Sequence, residues 1–97
     1  MTIRHIVLFE LTDDAEGEAF AQISREVDAL LHAIPGVQQY QSGPNVNRDP
    51  KRRLMGLTMV FDNYEGLQTY GAHENHHAAV QLLKPYLKDA WIMQMEI

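Results

Sequence analysis

Five histidines among 97 residues are the side chains best suited to chemistry, and three of them fall within one short segment. That segment starts at Tyr70 and carries His73, His76 and His77. A neutral imidazole can take up or release a proton near pH 7, and a phenol can donate a hydrogen bond. The chain has no cysteine, which excludes thiol chemistry and disulfides. We therefore expect any chemistry to be of the acid/base type and to need no cofactor.

Helical spacing separates His76 from its neighbour His77. A helix that begins near Asn75 would place His76 on an apolar face and His77 on a polar one. The residues that continue the apolar face are Val80, Leu83 and Leu87. Burial would lower the pKa of the His76 imidazole and keep it neutral near pH 7. We predict His76 as the acid/base group; the alternative is that His76 only caps or packs the helix.

His5 is the fourth histidine of interest because it lies in a predicted strand, on the same face as apolar residues. A buried imidazole needs hydrogen-bond partners, so a satisfied core position is its ordinary interpretation. Tyr70 and His73 are three residues apart and can share one side of a helical turn. If these groups converge with His76 in one cavity, they form a small-molecule site. We predict such a cavity between sheet and helices, with a small, partly apolar ligand.

A zinc site is the competing hypothesis for the same segment. His73 and His77 complete the pattern His-Glu-x-x-His, in which two histidines of one helix bind zinc. A helix break is expected inside that pattern, near Glu74 and Asn75, and His77 is expected to face water. The spacing offers no third protein ligand. We therefore predict no metal at this site.

Strands and helices alternate in the order β-α-β-β-α-β, which predicts a ferredoxin-like α+β fold. The chain is expected to form one domain over residues 1–97. Strands are predicted over 3–11, 37–46, 54–61 and 90–97, and a polar loop over 47–53. Asp13 and Glu16 resemble a capping pair for the first helix, and Asp62 or Asn63 would cap the second. Beyond the break at 74–75, a helix over about 76–88 should kink or end early at Pro85.

Alternation along the strands divides the predicted sheet into two faces, both of them apolar at the centre. The odd-numbered positions are expected to face the helices: Ile3, His5, Val7, Phe9, Leu11, Met55, Leu57, Met59, Phe61, Trp91, Met93, Met95 and Ile97. The even-numbered positions are expected to face away: Ile6, Leu8, Leu54, Val60 and Ile92, rimmed by Arg4, Glu10, Gln94 and Glu96. An apolar centre with a charged rim is typical of an interface. Twofold packing of two such sheets would bury it, so we predict a homodimer.

Composition limits the other partners. The net charge of −5 opposes nucleic acid or an anionic membrane as the main partner. The basic run 51–53 falls in the predicted loop and is interpreted as a solvated hairpin connection. No apolar stretch approaches the roughly 20 residues of a transmembrane helix, and no signal-peptide pattern precedes the first strand. We expect a cytoplasmic protein with neither a nucleic-acid nor a membrane partner.

Four motifs together resemble the stress-responsive α/β-barrel domain family, also called Dabb domains, over nearly the whole chain. They are the opening strand 3–9, the turn 34–37, the segment 43–46 and Tyr70-x-x-His73-x-x-His76. The resemblance implies a ferredoxin-like fold and a dimer whose two sheets form a dimeric α/β barrel. Some relatives hold magnesium through backbone oxygens at the end of the first helix, which here would be those of Leu31, Ile34 and Val37.

The resemblance also implies roles for individual residues, because the family includes a plant polyketide cyclase. His76 matches its acid/base histidine and Tyr70 its assisting tyrosine, which makes these two the expected catalytic residues. His5 and His73 match other positions of its site and are the expected ligand-binding residues. Glu74 departs from the proline that many relatives carry there, which could alter the entry to the pocket. Two other functions stay open: a cofactor-independent oxygenase and a non-enzymatic, stress-associated structural protein.

Overall fold

A computed structural model describes residues 1–47, 49 and 51–97 of the chain. The strands are β1 (Ile3–Leu11), β2 (Gln38–Pro44), β3 (Arg53–Phe61) and β4 (Leu87–Glu96). The helices are α1 (Gly17–His32), α2 (Tyr64–Ala72) and α3 (Glu74–Leu83), followed by a 3₁₀ turn over Lys84–Tyr86. Positions 48 and 50 of the predicted polar loop lie outside the described residues.

The four strands form one antiparallel sheet in the order β2-β3-β1-β4, with β1 and β3 at its centre. This order confirms the predicted ferredoxin-like α+β fold. The second helical region consists of two helices, because the chain takes an extended conformation at His73 between them. Helix α3 ends at Leu83, two residues before Pro85, and β4 begins three residues earlier than predicted. None of the helices in the described residues is both long and apolar enough to cross a membrane.

The two predicted helix starts have different outcomes. Asn63 caps α2 as predicted, since its side-chain oxygen accepts a hydrogen bond from the Gly66 N–H at 2.8 Å. The predicted pair of Asp13 and Glu16 is wrong. Glu16 is itself the N-cap residue of α1, without a side-chain capping bond, and Gly17 at φ +76° makes the turn into the helix. A positive φ is readily adopted only by glycine, so the backbone rather than a capping pair sets this start.

The hydrophobic core lies between the helices and one sheet face, called here the inner face. The odd-numbered positions of β1 and β3 form this face as predicted, and Met59 and Phe61 are fully buried. From the helices, the buried contributors are Val27, Leu31, Leu67, Tyr70, Ala79 and Leu83, and the turn after α1 adds Ile34. The core therefore extends under α1, α2 and α3 and includes Tyr70.

The sequence analysis assigned the residues of β4 to the wrong faces of the sheet. Val7 pairs with Ile92 and His5 pairs with Gln94, and residues directly opposite in an antiparallel pair point to the same side. Even-numbered residues of β4 therefore lie on the inner face, and Trp91 and Met93 lie on the other side. A register shift beside Glu10 inserts one extra residue into β4. A shift of one residue exchanges every side chain of a strand between faces, which a sequence pattern alone does not reveal.

The other side of the sheet, called here the outer face, is covered by no second layer of the described residues. Large apolar side chains stay exposed there, with Trp91 at 43%, Met93 at 58%, Met95 at 41% and Leu8 at 41%. Val60 differs from the prediction because it is only 2% exposed within the single chain. The open apolar area of the outer face is therefore carried by β1 and β4.

Candidate functional site

A cavity of about 450 Å³ lies between the inner face of the sheet and helices α2 and α3. Its walls are mainly apolar and come from β1, β3, β4 and the helices: Val7, Phe9, Leu31, Leu57, Leu67, Ala79, Leu83 and Ile92. The polar groups include His5, Tyr70, His76 and Gln94. An apolar chamber with a few polar groups is the usual form of a small-molecule site. We call it the histidine cavity.

His5 occupies the middle of β1 and is 6% exposed. Its ring lies edge-on to that of Tyr70, with 5.6 Å between the centroids. Its Nδ1 atom lies 3.2 Å from the amide nitrogen of Gln94 across the β1–β4 pair. Burial lowers the pKa of His5, and a positive charge on His76 would lower that pKa further. His5 is therefore held neutral, with one ring nitrogen already engaged.

Tyr70 lies in the last turns of α2, between the two histidine rings. Only 3% of it is exposed, and its ring centroid lies 4.8 Å from that of His76 and 5.3 Å from that of Phe61. Burial raises the pKa of Tyr70 to about 12. The phenol consequently stays protonated at neutral pH and can serve as a hydrogen-bond donor.

His76 projects from the first turn of α3 and is half-buried. Burial lowers its pKa, and a charge on His77 would lower it further, whereas the nearby Gly71 carbonyl raises it less strongly. Its Nδ1 atom is buried without a good hydrogen-bond partner among the described residues. A buried polar atom left unpaired costs free energy.

The face assignment for α3 is correct for the histidines and partly wrong for their neighbours. His76 contributes to the cavity, whereas His77 is exposed. The buried residues along the helix are Ala79 and Leu83, and Val80 is 42% exposed at the cavity wall. Leu87, predicted on the same helix, belongs to β4.

His73 does not line the cavity. It is the N-cap residue of α3, and its Nδ1 accepts a hydrogen bond from the Asn75 N–H at 3.0 Å. Asn75, near which this helix was expected to begin, lies just inside it. Its side chain donates to the Leu30 carbonyl at 3.1 Å and ties α3 to α1. Since His73 lies outside the helix, it does not share a helical face with His77 as the zinc pattern requires.

Among the described residues, no group of three or more His, Cys, Asp or Glu side chains is arranged to hold a metal ion.

The backbone turn after α1, where the family resemblance implies a magnesium ion, offers only carbonyl oxygens as ligands. The carbonyls of Leu31 and Ile34 each accept a backbone hydrogen bond at 3.2 Å, from Ile34 and Val37 respectively. Each oxygen keeps one lone pair that a hard cation could contact.

Gln94 is the cavity residue that the sequence analysis placed elsewhere. It was assigned to the rim of the outer face, and the register of β4 brings it to the inner face beside His5. One signal could have found it: a buried imidazole needs a polar partner, and β4 supplies one opposite His5.

A second, larger cavity of about 600 Å³ lies away from the histidines, between the start of α1 and the β2–β3 hairpin. Its arginines are already engaged. Arg53 donates to the Ala15 carbonyl at 3.3 Å and pairs with Glu16 at 3.4 Å, and Arg52 pairs with Glu10 at 3.2 Å. Because these cations are satisfied within the chain, the histidine cavity is the better candidate site despite its smaller volume.

Solved structures share this architecture. A dimeric ferredoxin-like protein of unknown function from Thermobifida fusca YX is 27% identical, with a TM-score of 0.86, covering 100% of this chain and 92% of its own. A Dabb family protein with a ferredoxin-like fold from Mesorhizobium loti is 21% identical, with a TM-score of 0.84 and coverages of 99% and 96%. A Nitrosomonas europaea protein, provisionally described as an antibiotic biosynthesis monooxygenase, is 13% identical, with a TM-score of 0.79 and coverages of 97% and 88%.

No curated protein sequence matches the chain. The family model of the stress responsive A/B barrel domain, Dabb, matches residues 3–97, which include every strand, every helix and all the polar groups of the histidine cavity. The chain therefore belongs to the Dabb stress-responsive α/β-barrel domain family.

Proposed function

We propose that this protein is a face-to-face homodimer whose histidine cavity binds a small, partly apolar molecule and performs cofactor-independent acid/base chemistry on it. One observation carries the proposal. Three groups that can exchange or donate protons, His5, Tyr70 and His76, meet in a chamber that is otherwise mainly apolar. Titratable groups gathered in such a chamber are typical of active sites.

The environments of the three groups suggest different roles. His76 is the proposed base, because its lowered pKa keeps the imidazole neutral and ready to accept a proton near pH 7. Tyr70 is a protonated donor at the same pH and would bind an oxygen of the ligand. His5 would orient the ligand from the floor of the sheet. His73 would act on the site indirectly, by fixing where α3 begins.

The outer face supports the homodimer. The exposed apolar side chains of β1 and β4 form a patch, and Arg52 stacks over Trp91 at 5.7 Å near its edge. Large exposed apolar patches with a polar rim mark interaction sites. The relative from Thermobifida fusca, which shares the fold over the full length of this chain, is described as dimeric.

A thermal-shift screen with aromatic and polyketide-like compounds tests the proposed ligand class. A ligand that binds only the native state raises the melting temperature. At a hundredfold excess over Kd, it adds about 2.7 kcal/mol to the free energy of unfolding. We expect stabilisation of the wild type and a much smaller shift in His76→Ala. Stabilisation by none of the compounds would contradict the ligand-binding proposal and favour a structural role.

Oxygen consumption separates acid/base chemistry from the oxygenase alternative. With a stabilising compound present, the wild type should consume no dissolved oxygen while product forms. Oxygen uptake that matches product formation would favour the oxygenase instead. The likeness to the Nitrosomonas europaea protein shows a shared fold and does not by itself support that chemistry.

A further inference from the structure

We propose that Gln94 is a positioning residue that holds His5 in the tautomer with its proton on Nε2, so that His5 donates a hydrogen bond to a carbonyl oxygen of the ligand. This inference rests on the proposed function of the histidine cavity and specifies the ligand as a neutral carbonyl compound. It also gives the two cavity histidines opposite roles, His5 as donor and His76 as proton acceptor.

The register of the sheet brings Gln94 and His5 together. The two residues are direct partners in the β1–β4 pair and point to the same side of the sheet. The amide nitrogen of Gln94 lies 3.2 Å from Nδ1 of His5. A side-chain amide nitrogen can only donate a hydrogen bond. With the amide in this orientation Nδ1 is the acceptor, and we infer that the single proton of the neutral ring is on Nε2.

The second ring nitrogen of His5 is free to meet a ligand. The only side-chain hydrogen bond of His5 within the described residues is the one to Gln94. Among the described residues, the buried polar atoms without a hydrogen-bond partner include Nδ1 of His76 but not Nε2 of His5. The Nε2 atom is therefore not sealed from its surroundings. Since His5 lines the cavity, its Nε2–H is open to that space.

The side chains around this N–H define the chemistry of the group that it would bind. Tyr70, whose ring lies 5.6 Å from that of His5, offers a second donor from its phenol. Within the described part of the chain, no Asp, Glu, Lys or Arg lines the cavity. Two neutral donors without a fixed counter-charge suit a carbonyl oxygen, which can accept two hydrogen bonds. They would also stabilise that oxygen as it gains charge when His76 removes a neighbouring proton.

Gln94 is suited to mutagenesis because it lies on an edge strand and is exposed. Gln94→Leu removes the donor and leaves the His5 tautomer unfixed. Gln94→Glu replaces the donor by an acceptor, which would draw the proton to Nδ1 and raise the pKa of His5. Gln22→Glu, on the exposed surface of α1, makes the same chemical change away from the cavity and is the matched control.

The experiment is nitrogen-15 NMR of the histidine side chains in the ligand-free protein, which reports the tautomer directly. We expect the Nε2–H form of His5 in the wild type and in Gln22→Glu, and the Nδ1–H or doubly protonated form in Gln94→Glu. An Nδ1–H form in the wild type, or an unchanged tautomer in Gln94→Glu, would overturn the inference.

A pair of probe ligands connects the tautomer to recognition. The probes are 4-hydroxybenzophenone and 4-benzylphenol, in which a methylene group replaces the ketone carbonyl. We expect wild type to prefer the ketone about five- to tenfold, the value of one hydrogen bond, and Gln94→Leu to lose that preference. Equal preference in wild type and Gln94→Leu would contradict the role of Gln94. If the tautomer is as stated and neither probe binds, the proposed ligand class fails while the positioning of His5 stands.

Discussion

The two faces of the sheet carry similar apolar side chains but lie in different surroundings. On the inner face, Met59 and Phe61 are completely buried under the helices. On the outer face, Met93 and Trp91 are 58% and 43% exposed, although they are of comparable size and hydrophobicity. Over β1 and β3 the inner face is closed by the chain itself, whereas at β4 it stays open, with Ile92 64% exposed. The outer face has no covering layer among the described residues, and we propose that a second molecule closes it. The same comparison separates the two proposed functions, since the cavity belongs to the inner face and dimerisation to the outer one.

The largest expected effect comes from placing a charge on the outer face. Leu8 is 41% exposed in the single chain and lies opposite Trp91 and Gly56 in the sheet. Leu8→Glu should weaken the dimer by about 3 kcal/mol or more, over a hundredfold in Kd, because dimerisation would bury an unpaired charge. Sedimentation equilibrium at micromolar concentration measures this change.

The substitution at Leu8 is a cleaner probe than one at Val60, which is already buried within the chain. Leu8→Gln serves as a neutral control and should weaken the dimer less. A dimer of unchanged affinity in Leu8→Glu would show that this face is not the interface.

A matched pair of methionines compares the two faces directly. Met59→Ala on the inner face should lower the free energy of unfolding by about 2–5 kcal/mol through lost burial and a cavity. Met93→Ala on the outer face should cost less, and its cost should grow with protein concentration because that side chain is buried only in the dimer. Urea denaturation at two concentrations tests both. Equal, concentration-independent losses would contradict the distinction between the faces.

A smaller effect should appear in the pH dependence of stability. Burial lowers the pKa of His5 and His76 in the folded chain, while the unfolded chain titrates near 6.5. Below about pH 6.5 the unfolded state therefore binds more protons than the folded state, so the free energy of unfolding falls as the pH falls. His76→Ala should reduce that slope between pH 7 and 5. An unchanged slope in His76→Ala would contradict the assignment.

Much of the fold could be predicted from sequence because local patterns and packing agree there. The odd-numbered positions of β1 and β3 are apolar and are buried, and Asn63 provides the ordinary cap of α2. The start of α1 could not be predicted from its acidic residues, since a glycine with positive φ makes that turn. The face of β4 could not be predicted either, because both of its faces are rich in apolar residues and its register depends on a bulge.

In the candidate site too, local patterns predicted some residues correctly and not others. Helical spacing was sufficient to send His76 inward and His77 outward, because α3 has one buried side. His73 lies at a helix junction, where a residue that ends one helix and caps the next is not governed by helical period. Gln94 depends on long-range strand pairing, which local periodicity does not encode.

The most direct test of the central claim compares two adjacent histidines that differ in exposure. His76→Ala and His77→Ala remove the same side chain, one from the cavity wall and one from the surface of α3. Each variant should be titrated, by isothermal calorimetry, with a compound that stabilises the wild type in the thermal-shift screen. We predict at least about a tenfold loss of affinity in His76→Ala, as expected when a ligand loses one well-placed hydrogen bond, and nearly unchanged affinity in His77→Ala. Loss of binding in His77→Ala with full binding in His76→Ala would contradict the account.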